Sequence, residues 1–249
     1  MAAAILMRMR MPIALLVSAL IAAWPAAARE QIVDLELVLA LDGSSSIDIG
    51  EYALQLRGIA AAFRDPAVHQ AIDNGPTGRV AVNVVVWAEQ GFGKLTTGWR
   101  VITSAGEADA FAAEVEALPR RQFGGTGIGE GIAASLASFD GNGFESPRRI
   151  IDVSGDGRET VSEGAVLLPQ ARELARARNV IINGLAILDE DKGLLAYYDS
   201  GLRTGPGSFV MQASDFLDFR QAIREKLLRE LAPRPLSAGL WDEFAVPHK

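Results

Sequence analysis

The 249-residue sequence contains no cysteine and only two histidines, His69 and His248. Without cysteine the fold cannot depend on disulfides. No thiol can act as a nucleophile, and lipid attachment through an N-terminal cysteine is excluded. Neither histidine lies beside a serine in a GxSxG sequence, which argues against a serine hydrolase. A GxxxxGK[ST] phosphate-binding loop is also missing from the sequence. Several common catalytic centres therefore have no basis in this chain.

The apolar run near the start of the chain is too short for a typical transmembrane helix. Arg8 and Arg10 precede an uncharged stretch from Met11 to Trp24, which leads into small residues ending at Ala28. About 20 apolar residues are needed to span a bilayer, whereas a basic start, an apolar middle and a small-residue end are typical of a secretory signal peptide. We expect cleavage after Ala28, a periplasmic or secreted protein, and no stable membrane anchor. An uncleaved N-terminal anchor is the alternative.

The chain that remains after such cleavage is short of positive charge. It would keep 22 basic residues against 31 acidic ones, a net charge of about −9. Such a surface is a poor partner for nucleic acid. The roughly 220 remaining residues suffice for one domain with a sizeable core. We divide the chain into a signal peptide (residues 1–28), one domain (residues 29–231) and a C-terminal extension (residues 232–249).

The C-terminal extension has three prolines and no clear periodicity. We expect a loose extension, because disorder concentrates at chain termini. Trp241 and Phe244 leave open that it docks on the domain or on a partner.

Strands and helices are expected to alternate along the domain. Residues 33–41 and 79–88 are apolar at most positions, and Asp48 followed by Glu51 resembles a helix capping box. Strands that are apolar on both faces are typical of a parallel sheet covered by helices on each side. The sequence therefore predicts an α/β fold that is doubly wound around a mainly parallel sheet. We predict strands at residues 33–41, 79–88, 94–102, 150–153, 180–188 and 208–212, and helices at residues 48–64, 107–118, 128–139, 163–178, 192–200 and 215–231.

Three loops of the predicted fold are rich in oxygen-bearing side chains. Asp42-Gly-Ser44-Ser-Ser46 follows the first strand, Gly-Gly-Thr126-Gly opens a helix, and Ser-Gly-Asp156-Gly follows the strand at residues 150–153. In an open parallel sheet, ligands bind at the carboxyl ends of strands where the strand order reverses. We expect the five side chains to converge there. Because they offer only oxygen, they suit a hard divalent cation: Mg²⁺ first, with Mn²⁺ or Ca²⁺ possible.

On these residues the chain resembles a von Willebrand factor A-type (VWA) domain with a metal-ion-dependent adhesion site (MIDAS). The DxSxS motif, the threonine loop and the aspartate loop occur in the family's order over roughly residues 33–231. Within that superfamily the chain is most similar to an uncharacterised group of exported bacterial proteins. The resemblance implies a Rossmann-like sheet with one antiparallel edge strand, which residues 94–102 could supply. It also implies adhesion-type binding, in which a Glu or Asp of a protein partner completes the metal shell.

One departure from the family pattern stands beside the aspartate loop. Ser154-Gly155 occupies the place of the more usual pair of an apolar residue and a threonine. This exchange could alter the surroundings of the metal without removing a ligand.

Other motifs carry weaker signals. Residues 124–131 fail the dinucleotide-binding spacing, because Glu130 stands where the last glycine belongs. Residues 140–143 resemble a Ca²⁺ loop faintly, but Phe144 breaks the ligand pattern and a polar turn is the better interpretation. The acidic run at residues 189–191 is expected to be a solvated surface segment near the site.

Two functional alternatives to protein binding stay open. One is a metal-dependent hydrolase of phosphoryl substrates, since a bound ion can activate water. The other is a structural domain with a non-functional metal site. No general base is placed near the predicted site, so we expect a protein that is not an enzyme.

Overall fold

The computed structural model describes residues 30–232, apart from residues 90, 92 and 162–164. The predicted signal peptide and the extension beyond Ala232 lie outside the described residues. Among the described helices, none combines the length and the apolar character that a membrane crossing requires. The described elements, in chain order, are β1 (Gln31–Ile32), β2 (Leu35–Asp42), α1 (Ile49–Phe63), α2 (Pro66–Asp73), β3 (Val80–Trp87), β4 (Leu95–Thr96), β5 (Arg100–Ile102), α3 (Ala105–Glu116), α4 (Ile128–Ser138), β6 (Phe144–Glu145), β7 (Arg149–Gly155), α5 (Leu168–Ala177), β8 (Ile181–Ile187), α6 (Leu194–Gly201), β9 (Val210–Ala213) and α7 (Phe219–Leu231).

A mainly parallel sheet forms the middle layer. Its described order is β4-β3-β2-β7-β8-β9, and β5 also pairs with β3. The pairs among β3, β2, β7, β8 and β9 are parallel, whereas β4 and β5 are antiparallel to β3. This order confirms the predicted α/β fold with antiparallel pairing at one edge.

Helices cover both faces of the sheet. One core cluster joins side chains of β2, β3 and β7 to α1, α2, α3 and α7. The other joins the opposite faces of these strands to α4, α5 and α6. Every residue of β2 and β3 is buried, because alternate side chains enter the two clusters. This two-sided burial explains why the apolar runs at residues 33–41 and 79–88 are nearly continuous.

Several predicted boundaries are wrong, for local reasons. The predicted strand at residues 94–102 is two short strands, and Gly98 between them has φ +69°. The helix α2 was not predicted, because Pro66 looked like a break; it stands instead in the first turn, with Asp65 as the N-cap. The helix predicted at residues 163–178 is described only from Leu168, and the last helix begins at Phe219 rather than Asp215. The pair β1–β6 is two residues long on each side and was too short to predict.

The strand order reverses between β2 and β7. From β2 the chain passes to β3 on one side and later to β7 on the other side. In open α/β sheets this reversal opens a crevice at the carboxyl ends of the two strands. Asp42 is the last residue of β2, and Asp156 directly follows β7. The fold therefore brings the first and third oxygen-rich loops to the same crevice.

Candidate metal centre

The loop after β2 turns its side chains into this crevice. The Asp42 side chain is fully buried, and its Oδ1 accepts a hydrogen bond of 2.8 Å from the backbone N–H of Ser44. This contact curls the loop, so that the Oγ atoms of Ser44 and Ser46 lie 3.1 Å apart. Asp48 then caps α1 and forms the predicted capping box with Glu51. The loop is therefore fixed at both ends.

The other two loops bring their oxygens to the same point. Ser46 donates a 3.0 Å hydrogen bond from its Oγ to Oδ1 of Asp156. The Oγ1 of Thr126 lies 3.5 Å from the Oγ of Ser44. Thr126 and Asp156 are both nearly buried, whereas Ser46 is exposed. The structure thus brings together all five side chains that the sequence singled out, and one side of the cluster faces solvent.

The chemistry of this cluster fits a hard divalent cation. Oδ2 of Asp42 is buried and has no hydrogen-bond partner among the described residues. Burial, with the nearby Asp156 carboxylate, raises the pKa of Asp42 to about 7. Burial also raises the pKa of Asp156, although the hydrogen bond from Ser46 opposes this shift. A positive charge between two neighbouring carboxylates that are both shielded from water stabilises their ionised forms.

Hydrogen bonds to its backbone groups hold the threonine loop in place. The N–H of Ser45 donates to the carbonyl of Gly124 over 2.9 Å, and the N–H of Gly124 donates to Oγ of Ser45 over 2.8 Å. Glu89, just after β3, accepts a 2.7 Å hydrogen bond from the N–H of Gly125. The N–H of Thr126 donates to Oγ1 of Thr160 over 2.8 Å. Sequence reasoning missed Glu89 and Thr160, because neither belongs to a motif.

The packing around Gly155 explains why this position holds glycine in place of the more usual threonine. A Cβ at this position would lie 2.8 Å from Oδ2 of Asp42 and 2.9 Å from the hydroxyl oxygen of Tyr198. The hydroxyl of Tyr198, from α6, therefore occupies the space that a larger side chain at residue 155 would need. Tyr198 is fully buried, and burial beside the Asp42 and Asp156 carboxylates raises its pKa well above the ordinary value. The sequence offered no signal for Tyr198, because the contact depends on how α6 packs.

A second buried charge cluster lies deeper on β7. Nζ of Lys226, from α7, is 2.5 Å from Oδ1 of Asp152 and 2.7 Å from Oε1 of Glu230. Asn183 on β8 donates to the same Glu230 oxygen over 2.7 Å. Burial and the Glu230 carboxylate raise the pKa of Asp152 to about 7. This cluster fastens α7 to the sheet and supplies no side chain to the crevice.

The remaining sequence candidates lie elsewhere or are already engaged. His69 is in α2, where its ring contacts the carbonyl of Phe63 over 2.5 Å. Asn142 donates a 2.5 Å hydrogen bond to Glu36, which agrees with a polar turn. Asp191 forms an exposed salt bridge of 2.7 Å with Arg158. Among the described residues, no three or more His, Asp or Glu side chains cluster in a way that could hold a metal. The candidate centre is not such a cluster, because three of its five side chains are hydroxyls.

The model of a family described as "Protein of unknown function (DUF1194)" matches residues 32–235. A search of curated proteins found no match.

Solved structures with this fold include three that are informative. The pilus adhesin SpaC from Lactobacillus rhamnosus GG, in its open conformation, matches with a TM-score of 0.57 at 14% identity, over 82% of this chain and 31% of that chain. Proximal thread matrix protein 1 from the mussel byssus, with a zinc-occupied MIDAS motif, matches with a TM-score of 0.51 at 16% identity, over 81% of this chain and 48% of that chain. The VWA domain of SpRpn10 matches with a TM-score of 0.50 at 15% identity, over 84% of this chain and 98% of that chain. The chain thus spans about a third of SpaC and about half of the mussel protein. At such identities these matches show the fold alone, and that fold is the VWA domain.

Proposed function

We propose that this chain, which belongs to the DUF1194 family of proteins of unknown function and has a VWA fold, is an exported protein-binding module that depends on a divalent cation. The ion would be held by Asp42, Ser44, Ser46, Thr126 and Asp156, whose oxygens converge in the crevice. Mg²⁺ is the first choice, because it accepts few carboxylates and retains open or water-filled positions. When bound, the cation supplies a Lewis-acid position that an acidic oxygen of a protein partner can complete.

The observation that carries this proposal is the buried Asp42 carboxylate. Its Oδ2 lacks a hydrogen-bond partner among the described residues, although it lies in a cluster of four other oxygen side chains. A buried, unpaired carboxylate oxygen is costly unless something positive compensates it. A structural domain with no use for a cation would gain stability by replacing Asp42 with a neutral residue.

The rim of the centre suits a protein partner. Ile49 is 77% exposed and Phe123 is 47% exposed, and both stand beside the oxygen-rich loops. The Arg120 guanidinium lies 5.4 Å from the centre of the Phe123 ring and donates to the carbonyls of Ser44 and Asp48. An acidic side chain flanked by apolar residues would meet complementary groups here. The adhesin SpaC and the zinc-occupied MIDAS of the mussel protein support this type of function by analogy of fold.

Metal binding is tested by titration calorimetry on protein stripped with EDTA. We expect Mg²⁺ to bind the wild type at one site, and Ser44→Ala and Thr126→Ala to weaken binding by at least tenfold. Ser45→Ala is the matched control, because it keeps all five proposed ligands and removes only the hydrogen bond from the N–H of Gly124, so a smaller loss of affinity than in Ser44→Ala is expected. Equal affinities in Ser44→Ala and Ser45→Ala would contradict the proposed ligand set.

Partner bridging needs a separate experiment. We expect proteins captured from a periplasmic extract in Mg²⁺ to be released by EDTA and to be missing when Asp42→Ala is the bait. The Ser45→Ala bait, which keeps all five proposed ligands, should still capture these proteins in Mg²⁺. Retention of the same partners in EDTA and by Asp42→Ala would exclude a metal-bridged contact.

The hydrolase alternative has less support in the structure. His69 contacts Phe63 of α1 and lines a cavity with the start of α3, at the edge opposite the crevice. It is therefore not placed to act as a general base there. Turnover in a phosphoesterase screen that disappears in both Ser44→Ala and Asp156→Ala would favour hydrolysis over binding.

A further inference from the structure

Two adjoining grooves open at the amino edge of the sheet, opposite the candidate metal centre. The first, the basic groove, has a volume of about 530 Å³ and is lined by Arg172, Arg176 and Arg203. The second, the apolar groove, has a volume of about 660 Å³ and is lined by Pro147, Val180, Ile181 and Pro206. Arg176 and Gly205 line both grooves. Together they form one surface that suits a ligand with apolar and anionic groups side by side.

This surface is positive on a protein that is negative overall. Three arginines line the basic groove against one carboxylate, Asp199, and Arg149 stands at the apolar groove. Within the described part of the chain, Arg176 pairs with Glu173 over 2.9 Å and Arg203 pairs with Asp199 over 2.5 Å. No salt bridge there involves Arg149 or Arg172, and the buried Nε of Arg172 has no hydrogen-bond partner among the described residues. The whole sequence carries a formal net charge of −7. Arg149 and Arg172, which have no salt bridge among the described residues, therefore attract an acidic ligand to this edge.

The sequence after α7 contains a segment with the matching chemistry. Residues 240–244 read Leu-Trp-Asp-Glu-Phe, so that two carboxylates are flanked by an aliphatic and two aromatic side chains. Trp and Phe bury large areas in apolar grooves, and Arg binds carboxylates through several N–H groups. The segment and the surface are complementary in both charge and apolar character.

The chain passes beside this surface on leaving the last helix. Arg148 donates a 3.2 Å hydrogen bond from Nη1 to the carbonyl of Ala232 and a second one to the carbonyl of Glu230. Its neighbours Pro147 and Arg149 line the apolar groove. Eight residues lie between Ala232 and Trp241, and the nine steps along the chain, at about 3.3–3.6 Å each, can span roughly 30 Å. That reach exceeds the radius of gyration of about 16 Å expected for a 200-residue domain.

We propose that residues 240–244 dock in cis on this surface, with Trp241 and Phe244 in the apolar groove and Asp242 and Glu243 against the arginines. The docked segment ties together the ends of α5, β7 and β8 and the loop before β9. The metal edge of the sheet stays open for a partner. The inference does not depend on metal binding.

The natural lack of cysteine allows a direct test in the full chain. Ser208→Cys places a single thiol in the basic groove for a nitroxide spin label. The indole N–H signal of Trp241, assigned by Trp241→Phe, should lose most of its intensity through paramagnetic relaxation. The label at Arg57→Cys, on an exposed position of α1 on the other face of the sheet, should leave that signal unchanged.

Charge exchange tests the contact itself. We expect Arg149→Glu with Arg176→Glu, or Asp242→Lys with Glu243→Lys, to restore the Trp241 signal in the labelled protein. All four changes together should weaken it again.

Three results would overturn the proposal. The first is a Trp241 signal that the label at residue 208 does not affect. The second is broadening that appears only when the label is on another molecule in a mixed sample, which would assign the surface to a second copy of the chain. The third is binding of inorganic phosphate to the basic groove with unchanged affinity in Asp242→Lys/Glu243→Lys, which would assign that groove to a free anion.

Discussion

Gly155→Ala should damage both the stability of the domain and its affinity for a cation. The new methyl group would lie 2.8 Å from Oδ2 of Asp42 and 2.9 Å from the hydroxyl of Tyr198, so at least one of them must move. Overpacking of this kind costs about 1–3 kcal/mol. In a domain of this size, each kcal/mol of lost stability lowers Tm by roughly 2–4 °C. Because Asp42 is a proposed ligand, we also expect Mg²⁺ affinity to fall by about 10–100-fold, as for other changes next to metal ligands.

A matched control separates stability from metal binding. A Cβ at Gly184, on the adjacent strand β8, would lie 2.7 Å from Leu202 and 3.1 Å from a ring carbon of Tyr198, but no Asp42 atom is among its nearest contacts. Gly184→Ala should therefore destabilise the domain to a similar extent and leave Mg²⁺ affinity nearly unchanged. Urea unfolding in EDTA measures the first effect, and calorimetry measures the second.

Tyr198→Phe adds a second check on the same contact. Removal of the hydroxyl opens space for the methyl group, so the double variant with Gly155→Ala should be less unstable than the sum of the single variants. A coupling energy of about 0.5–3 kcal/mol is expected for residues in contact. Strict additivity, or a Gly155→Ala variant with wild-type stability and affinity, would refute this description of the site.

Three further predictions concern buried charge. Asp42→Asn should raise the stability of the domain in EDTA at pH 8, because it removes a desolvated charge. The same change should abolish stabilisation by Mg²⁺. Thermal unfolding with and without Mg²⁺ measures both effects. The pKa of Asp152 is raised from 3.8 to about 7, so between these values the folded state holds a proton that the unfolded state releases. Wild-type stability in EDTA should therefore fall as pH rises through this range, and the fall should be smaller in Asp152→Asn. Lys226→Met should cost about 3–5 kcal/mol in urea unfolding at pH 8, where Asp152 is ionised, because it leaves Asp152 and Glu230 buried without their cation. The exposed change Lys192→Met should cost little.

The sequence predicted those parts of the fold that follow from local patterns. Residues 33–41 and 79–88 gave the central strands, because burial on both faces leaves a continuous apolar run. Asp48 and Glu51 gave the start of α1, because capping is decided within one turn. The convergence of the five oxygen side chains was predictable because loop position in a parallel sheet is set by strand direction.

The parts that the sequence did not predict depend on contacts between distant segments. Tyr198 lies 156 residues after Asp42 in the chain, and both border the space beside Gly155 only because α6 packs on the sheet. Lys226 looks like an exposed helix residue in sequence, yet it is completely buried between two carboxylates. Pro66 is ambiguous for another reason, since proline both ends helices and occupies their first turn.

The central claim is that the five oxygen side chains hold one divalent cation with a position open to a partner. Anomalous diffraction from crystals soaked in Mn²⁺ tests it most directly, because manganese replaces Mg²⁺ at such sites and can be located by its own scattering. The account predicts one anomalous peak enclosed by Asp42, Ser44, Ser46, Thr126 and Asp156, which is missing from crystals of Asp42→Ala. A wild-type crystal with no peak there, or with its main peak at another acidic surface, would contradict it.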